Sequence, residues 1–406
     1  MSVRGIRVLV ADDQVDVART LCRPLVAEGA TVRVVSGGSE ALACVRAGGF
    51  DLCVADMKMP PLPWGGLWLL NAMQDGRLTV PLLVLSGEGT QRQTIQAMRL
   101  GAVDWIDKAS AGTELLNRCE AAIATSRAAG PKLVGDSGPS PIAHAYARYR
   151  QAVGTERQIS EGLHAMEETV RFVALVGLST CDVGTCGPLQ LLIDRIGRPS
   201  LGTWVEIAAE LSTVATADPI FRSLAAAVLA DGRKPVDRFV QLRNDLHHGG
   251  AEPGAAQGTG LTEMLATWAA RITAAWPYRP AAPTSMQYDG DNFDVAVEEF
   301  TGVAGPQPSR VRSRSPLHTG RPILIRPEGD PVPLWPWFAA SSSPSTGASA
   351  NQLLVFDGVR QARRGVFDDC DQLVYSDPAS GARNLTPEAG AAWSEAAHWF
   401  APHANG

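Results

Sequence analysis

The chain has 406 residues, 45% of them hydrophobic and 19% charged, which is enough for two or three domains with their own cores and too apolar for wholesale disorder. A formal charge of −6 supplies no global electrostatic reason for a nucleic-acid partner, although a local basic patch would escape that argument.

Up to residue 129, short apolar runs alternate with amphipathic stretches of helical period. The runs are 6–11, Thr31–Val35, Leu52–Asp56, Leu82–Ser86 and 103–107, and the helices between them are expected at 16–28, 39–47, 67–73, 90–100 and 112–126. Strands alternating with helices predict an α/β doubly wound, parallel five-stranded sheet of the flavodoxin type, and near-continuous Val and Leu in the strands predicts cover on both faces. Residues 130–141 (GPKLVGDSGPSP) read as a Gly/Pro/Ser-rich linker.

From 142 to 278 the helical period dominates, predicting an all-α domain with helices at 144–155, 159–178, 204–213, 220–229, 236–247 and 261–275. Residues 279–406 are punctuated by Pro280, Pro283, Pro306, Pro308, Pro316 and Pro322 and read as a small β-rich region. Strands are expected there at 322–326, 352–359 and Gln372–Ser376, with a basic loop around SRVRSRSPLHTGR carrying Arg310, Arg312, Arg314 and Arg321. The segment PLWPWF (333–338) is expected to anchor this region to a core.

Seven scattered cysteines include one close pair, Cys181 and Cys186, with no second pair to complete a zinc set, and read as free thiols. The N-terminus lacks the apolar run of a signal peptide, and no stretch approaches the ~18 apolar residues of a membrane span. A cytoplasmic protein without a membrane partner is expected.

In an open parallel sheet, chemistry collects at the carboxyl ends of the strands. This sequence places Asp12 and Asp13 after the first strand, Asp56 at the end of the third, Ser86 at the end of the fourth and Lys108 after the fifth. Carboxylates gathered on one rim repel each other unless a cation sits among them, and Mg²⁺, a hard ion seeking oxygen ligands, suits the position. Asp56 then acts as a carboxylate nucleophile toward phosphorus, Lys108 offsets charge on the phosphoryl oxygens, and Ser86 hydrogen-bonds one of them.

The segments VLVADD (8–13), VADMKMP (54–60), LLVLSG (82–87) and GAVDWIDK (101–108) resemble, in order and spacing, the motifs of the response-regulator receiver family. The resemblance covers about residues 5–126. It implies a phosphoprotein of a two-component phosphorelay, a sensor histidine kinase or phosphotransfer protein as partner, and dimerisation on activation. It also implies Mg²⁺ bound directly by Asp13, Asp56 and the Lys58 backbone carbonyl, with Asp12 acting through water. Trp105 stands at the family's aromatic switch position, which turns inward when Ser86 is drawn to the phosphoryl group. Two features depart from the pattern. Ala109 follows Lys108 where the family usually has proline, so the cis peptide that shapes that loop is not expected. PPLPWGG (60–66) is bulkier than the usual loop after the phosphoacceptor.

In the helical region, QLRNDLHHGG (241–250) gathers Arg243, Asn244 and His248 near a helix end closed by Gly249 and Gly250. The pattern resembles the signature of HEPN-fold proteins, whose active members are metal-independent ribonucleases acting as dimers. That resemblance casts His248 as general acid or base and Arg243 as the stabiliser of phosphorane charge. Many HEPN-like bundles are non-catalytic, and the same residues can simply cap the helix. Two functions are therefore carried forward. One is a phosphorelay response regulator whose helical output works through protein–protein contact; the alternative is a phosphorylation-controlled HEPN-type ribonuclease with RNA as substrate. DNA is not an expected partner, since no compact helix-turn-helix with a basic recognition helix is visible in 131–406.

Overall fold

Alternate residues of the apolar runs face opposite sides of a sheet, so Val8 and Val10 feed one hydrophobic layer while Leu9 and Ala11 feed the other. The computed structural model describes residues 3–87, 91–181, 193–214, 218–247, 255–341, 352–361, 371–386 and 394–397. The N-terminal order is β1 (Arg7–Ala11), α1 (Val15–Leu21), α2 (Arg23–Ala27), β2 (Thr31–Val35), α3 (Gly38–Ala47), β3 (Leu52–Asp56), α4 (Gly65–Asp75), β4 (Leu82–Ser86), α5 (Gln91–Arg99), β5 (Asp104–Asp107) and α6 (Ala111–Ser137). The strands pair in parallel in the order β2-β1-β3-β4-β5. One layer packs Leu25, Leu115, Cys119 and Ile123 on the sheet, the other packs Val45, Leu69, Leu70 and Ala97, and the expected doubly wound fold is present.

Two local features differ from the expectation. The helix anticipated at 16–28 is divided at Cys22, because Pro24 lacks the N–H that would continue the first ladder and instead sits at the start of α2. Residues 130–141 are not an extended linker: α6 runs through Pro131 to Ser137, and a new helix begins at Ser140. The preceding Ala-rich turns carry helical propensity into this stretch, and Gly130 supplies the clearance, since a Cβ there would lie 2.7 Å from the Ala270 nitrogen.

The remaining helices are α7 (Ser140–Gln151), α8 (Thr155–Thr180), α9 (Ile193–Ile196), α10 (Leu201–Thr213), α11 (Pro219–Leu229), α12 (Lys234–His247) and α13 (Ala255–Ala275). They are followed by β6 (Arg279–Tyr288), β7 (Phe293–Glu299), β8 (Gln307–Ser313), β9 (Ile323–Ile325), β10 (Val332–Pro333), β11 (Phe338–Ser341), β12 (Gln352–Arg360), β13 (Gln372–Ser376) and α14 (Ser394–Ala397). The chain divides into two compact units. The first comprises Met1–Pro131 together with Ala226–Asp231 and Ala266–Pro277; the second holds Lys132–Ala225, Gly232–Leu265 and Tyr278–Gly406. Two short segments of the helical region thus belong to the N-terminal unit, and the helical and β-rich stretches, read as separate from sequence, otherwise form one unit.

Within the second unit α8 is the axis, buried without interruption from Glu168 to Leu178, with α7 and α10 packed on it. Its buried Arg171 pairs with Glu168, with Asp357 of β12 and with Ser376 of β13. A sheet of order β11-β12-β13 presents Phe356 to Trp204, Trp337 and Tyr375 in edge-to-face contacts. Trp337 and Phe338 are fully buried, as expected of an anchor. The second sheet, of order β10-β9-β6-β7-β8, contains two strands, β6 and β8, hidden in the sequence by proline. Pro283 lies at a register shift between β6 and β7, and Pro308 lies on the edge strand β8, both places where a missing N–H is tolerated. The basic segment expected as a loop is partly this edge strand, with Arg310 held by Asp294 and Arg314 by Asp330.

Candidate functional site

Strand ends deliver the site. Asp12 follows β1, Asp56 closes β3, Ser86 closes β4, and Lys108 follows β5. Single carboxylate oxygens of Asp12, Asp13 and Asp56 all lie within 4.8 Å of one another. Asp12 is 0% exposed and Asp56 5%, while Asp13 faces solvent. Lys108 Nζ reaches 2.8 Å from Asp12 Oδ2 and 3.1 Å from Asp56 Oδ1, bridging the two buried acids. Asp12 Oδ1 accepts from the Gln14 N–H at 2.9 Å, whereas Oδ2, despite its proximity to Lys108, has no aligned donor.

The electrostatics follow from that crowding. Burial pushes the Asp56 carboxyl above the ordinary range, Lys108 pulls it back, and Asp12 and Asp13 add to the rise. Burial works to lower Lys108, but its contacts with Asp12 and Asp56 outweigh that and hold it above the usual value. One ammonium against three carboxylates leaves the rim net negative, and its clustered donors are all carboxylate oxygens. Such a set fits a hard, oxygen-seeking divalent cation.

Each strand end is also braced. The Lys108 N–H donates to the Ser86 carbonyl and the Met57 N–H to the Leu85 carbonyl, both at 2.9 Å. Asp107 Oδ1 accepts from the Ala109 N–H at 2.8 Å, so a side-chain turn shapes the loop in which no proline stands. Lys108–Ala109 is not among the cis peptides, which in the described residues are Pro60–Pro61 and Trp335–Pro336. Trp105 is half-buried and packs against the apolar layer beneath α4 and α5.

The loop after Asp56 is tied to the end of β3 by glycine. A Cβ on Gly66 would meet the Asp56 carbonyl oxygen at 2.7 Å, and one on Gly65 would meet the Met59 carbonyl oxygen at 2.0 Å. The exposed Lys58 ammonium lies 5.8 Å from the Trp64 ring centroid. The Gly65-Gly66 pair at the start of α4 was a readable signal for this close approach, although sequence reasoning registered only the bulk of the loop.

The second constellation is placed only in part. Arg243 on α12 is half-buried and bound by Glu167 of α8 at 2.8 Å, Asn244 is exposed, and His248 lies outside the described residues. Among the described residues, no helix is long and apolar enough to cross a membrane.

The family model of the response regulator receiver domain matches residues 8–120. The chain is 32% identical over 119 residues to the transcriptional regulatory protein TcrA of Mycobacterium tuberculosis, covering 29% of this chain and 46% of that protein, so it spans about half the length of that relative. It is 30% identical over 165 residues to the transcriptional regulatory protein FixJ of Bradyrhizobium diazoefficiens, covering 41% of this chain and 76% of that one. Among solved structures, the receiver domain of the Francisella response regulator 1452 is 25% identical over 30% of this chain and 99% of its own, with a TM-score of 0.28.

Proposed function

The chain belongs to the response-regulator family, and from that premise we propose that Asp56 accepts a phosphoryl group and thereby switches an output carried by the helical region. The observation that carries this reading is the bridge of Lys108 between buried Asp12 and Asp56 at the carboxyl rim of the sheet. An Asp56 carboxylate oxygen attacks the phosphorus of a phosphohistidine or an acyl phosphate. A P–O bond forms to Asp56 as the bond to the donor breaks, and the donor keeps the electron pair. Lys108 offsets charge on the transferred oxygens, and Ser86 donates to one of them. Mg²⁺, held by Asp13, Asp56 and the Lys58 carbonyl with Asp12 behind, would supply charge neutralisation at the same oxygens.

Arrival of the phosphoryl group adds negative charge at the sheet rim, and reordering of the region around Ser86, α5 and Trp105 is the step that changes partner binding. The phosphodonor is a sensor histidine kinase or phosphotransfer protein. The output is read as protein–protein contact, with dimerisation as its trigger. The transcriptional names of the relatives belong to those proteins and are not carried to residues 132–406. Incubation with Mg²⁺ and acetyl phosphate tests the reading by intact mass. One added phosphoryl group, absent in Asp56→Asn and with EDTA, is expected; a wild type that stays unmodified while a control receiver is labelled would refute it.

The ribonuclease reading keeps one point in its favour, since Glu167 holds Arg243 in a fixed position on α12. That carboxylate also neutralises the charge the arginine would offer to a phosphorane. Loss of RNA cleavage in His248→Ala would support it, and RNA left intact by wild type in both phosphorylation states would remove it.

A further inference from the structure

The N-terminal unit is discontinuous, and the segments that complete it are fastened by a buried ionic knot far from Asp56. Arg271 of α13, with its side chain 1% exposed, donates from Nε to Asp51 Oδ1 and from Nη2 to Asp51 Oδ2, both at 2.9 Å. Its Nη1 donates to Asp231 Oδ2 at 2.7 Å. Asp51 Oδ2 also accepts the Arg7 N–H at 2.9 Å, while Arg7 Nη1 donates to the Ala230 carbonyl at 3.1 Å. A bidentate fork between a fully desolvated arginine and aspartate is geometrically demanding, and each partner is costly to leave alone.

Further contacts seat the same segments. Thr79 donates its N–H to the Ala274 carbonyl at 2.7 Å and its hydroxyl to the Thr273 carbonyl at 3.1 Å, satisfying the C-terminal end of α13. Gly130 of α6 admits the Ala270 backbone, and Gly49, at φ +80°, lets Ala226 and Ala230 approach. Ala274 and Ala275 are buried in the same apolar layer as Leu82, Val84, Ala97 and Ala102, the layer against which Trp105 packs.

These contacts grip the two strands that carry the phosphoryl chemistry, each at the end opposite its functional residue. Asp51 immediately precedes β3 and Asp56 ends it; Thr79 lies just ahead of β4 and Ser86 ends it. Asp51 and Asp56 are about 17 Å apart at ~3.3 Å per residue, with a fully buried strand between them. A shift of the layer under Trp105 therefore acts on the seat of α13 as well.

Accepting Asp56 as the phosphoacceptor, we infer that Arg271 is the positioning residue that couples phosphorylation to the docking of α13, so that the last turns of this helix are the receiver's output element. Residues 255–265 of the same helix belong to the second unit. Coupling of this kind is reciprocal: whatever factor the phosphoryl group applies to docking, loss of docking applies to the affinity for a phosphoryl analogue.

Trifluoroberyllate, a reversible phosphoryl mimic, allows the test on the full chain with Mg²⁺. Binding is read by ¹⁹F NMR, and hydrogen exchange is read in peptides covering 226–231 and 266–277. In wild type the mimic is expected to change exchange in 266–277 at least fivefold. In Arg271→Met, which keeps the stem and loses the fork, that response is expected to vanish and the affinity for the mimic to change by a similar factor. Arg271→Lys, which keeps the charge without the bidentate geometry, is expected to fall between. Asp231→Asn, at the partly exposed partner, gives a second measurement if Arg271→Met does not fold, with the same loss of response expected to a smaller degree. Wild-type affinity in folded variants, with exchange in 266–277 indifferent to the mimic, would overturn the coupling while leaving the receiver intact. A wild type that fails to bind the mimic at all would overturn the receiver reading, and the coupling with it.

Discussion

Lys108→Met isolates the electrostatic account of the site. Lys108 Nζ sits 2.8 Å from Asp12 and 3.1 Å from Asp56, contacts of roughly 5–6 kcal/mol each at an effective dielectric of about 20. The carboxylate oxygens within 4.8 Å of each other repel by at least about 3.5 kcal/mol per pair on the same scale. These gross terms are offset by desolvation of the ammonium, so the expected net loss is that of removing one partner of a buried pair, about 3 kcal/mol. Asp56 already titrates above the ordinary carboxylate range because it is buried, and loss of Lys108 raises it further. A carboxyl whose folded pKa exceeds its unfolded one costs stability above the folded value and ceases to cost it as pH falls to the unfolded one. The deficit is therefore larger at neutral pH and fades toward about pH 4, the unfolded carboxylate value. Urea unfolding in EDTA, followed by hydrogen exchange of β1, β3 and β4 so that only the first unit is scored, measures it at both pH values. Added Mg²⁺ is expected to stabilise Lys108→Met more than wild type. An equal deficit at neutral and acidic pH would mean that the residue contributes packing rather than charge, and would refute the reasoning.

Gly66→Ala places a Cβ 2.7 Å from the Asp56 carbonyl oxygen and 3.1 Å from Met57 Cα, neither of which can swing away. The variant should lose about 1–3 kcal/mol, more than the at most ~1 kcal/mol that helix propensity returns, and label more slowly with acetyl phosphate. Gly87→Ala, whose Cβ would meet only Lys108 Cδ at 3.9 Å among the described residues, should be neutral in the same two assays. Arg171→Met should cost the second unit about 3–5 kcal/mol in urea unfolding by stranding Glu168 and Asp357, and Glu168→Leu on that background should recover part of it. Cys22, Cys53 and Cys119 are buried and their thiols pushed up to about 12, so iodoacetamide near neutral pH should leave all three unmodified until urea is added, as read by peptide mass.

The first 126 residues were legible because a covered parallel sheet writes its strands as unbroken apolar runs and places its polar residues at their ends. Asp12, Asp13, Asp56, Ser86, Trp105 and Lys108 all stand at strand ends or in the final strand for that reason. The β-rich region was harder, since prolines that normally argue against strands sit at a register shift in β6 and on the edge strand β8. The discontinuity of the first unit was not legible as a boundary, because α13 keeps one helical period across it. Its trace is a single charge: Arg271 interrupts ATWAARITAAW, where small and apolar residues occupy every face, and a lone arginine so placed requires a buried acid. That Asp51 is the acid could not be read, because a pairing 220 positions apart leaves no local period.

Chemical location of the acyl phosphate tests the central claim most directly. Protein treated with Mg²⁺ and acetyl phosphate is reduced with borohydride, which converts an aspartyl phosphate to homoserine, and the peptide containing 52–58 is sequenced by mass spectrometry. Homoserine at position 56, absent without Mg²⁺ and strongly reduced in Lys108→Met, is the predicted result. Homoserine at Asp12 or Asp13 with Asp56 unchanged, or none at any of the three, would contradict the account.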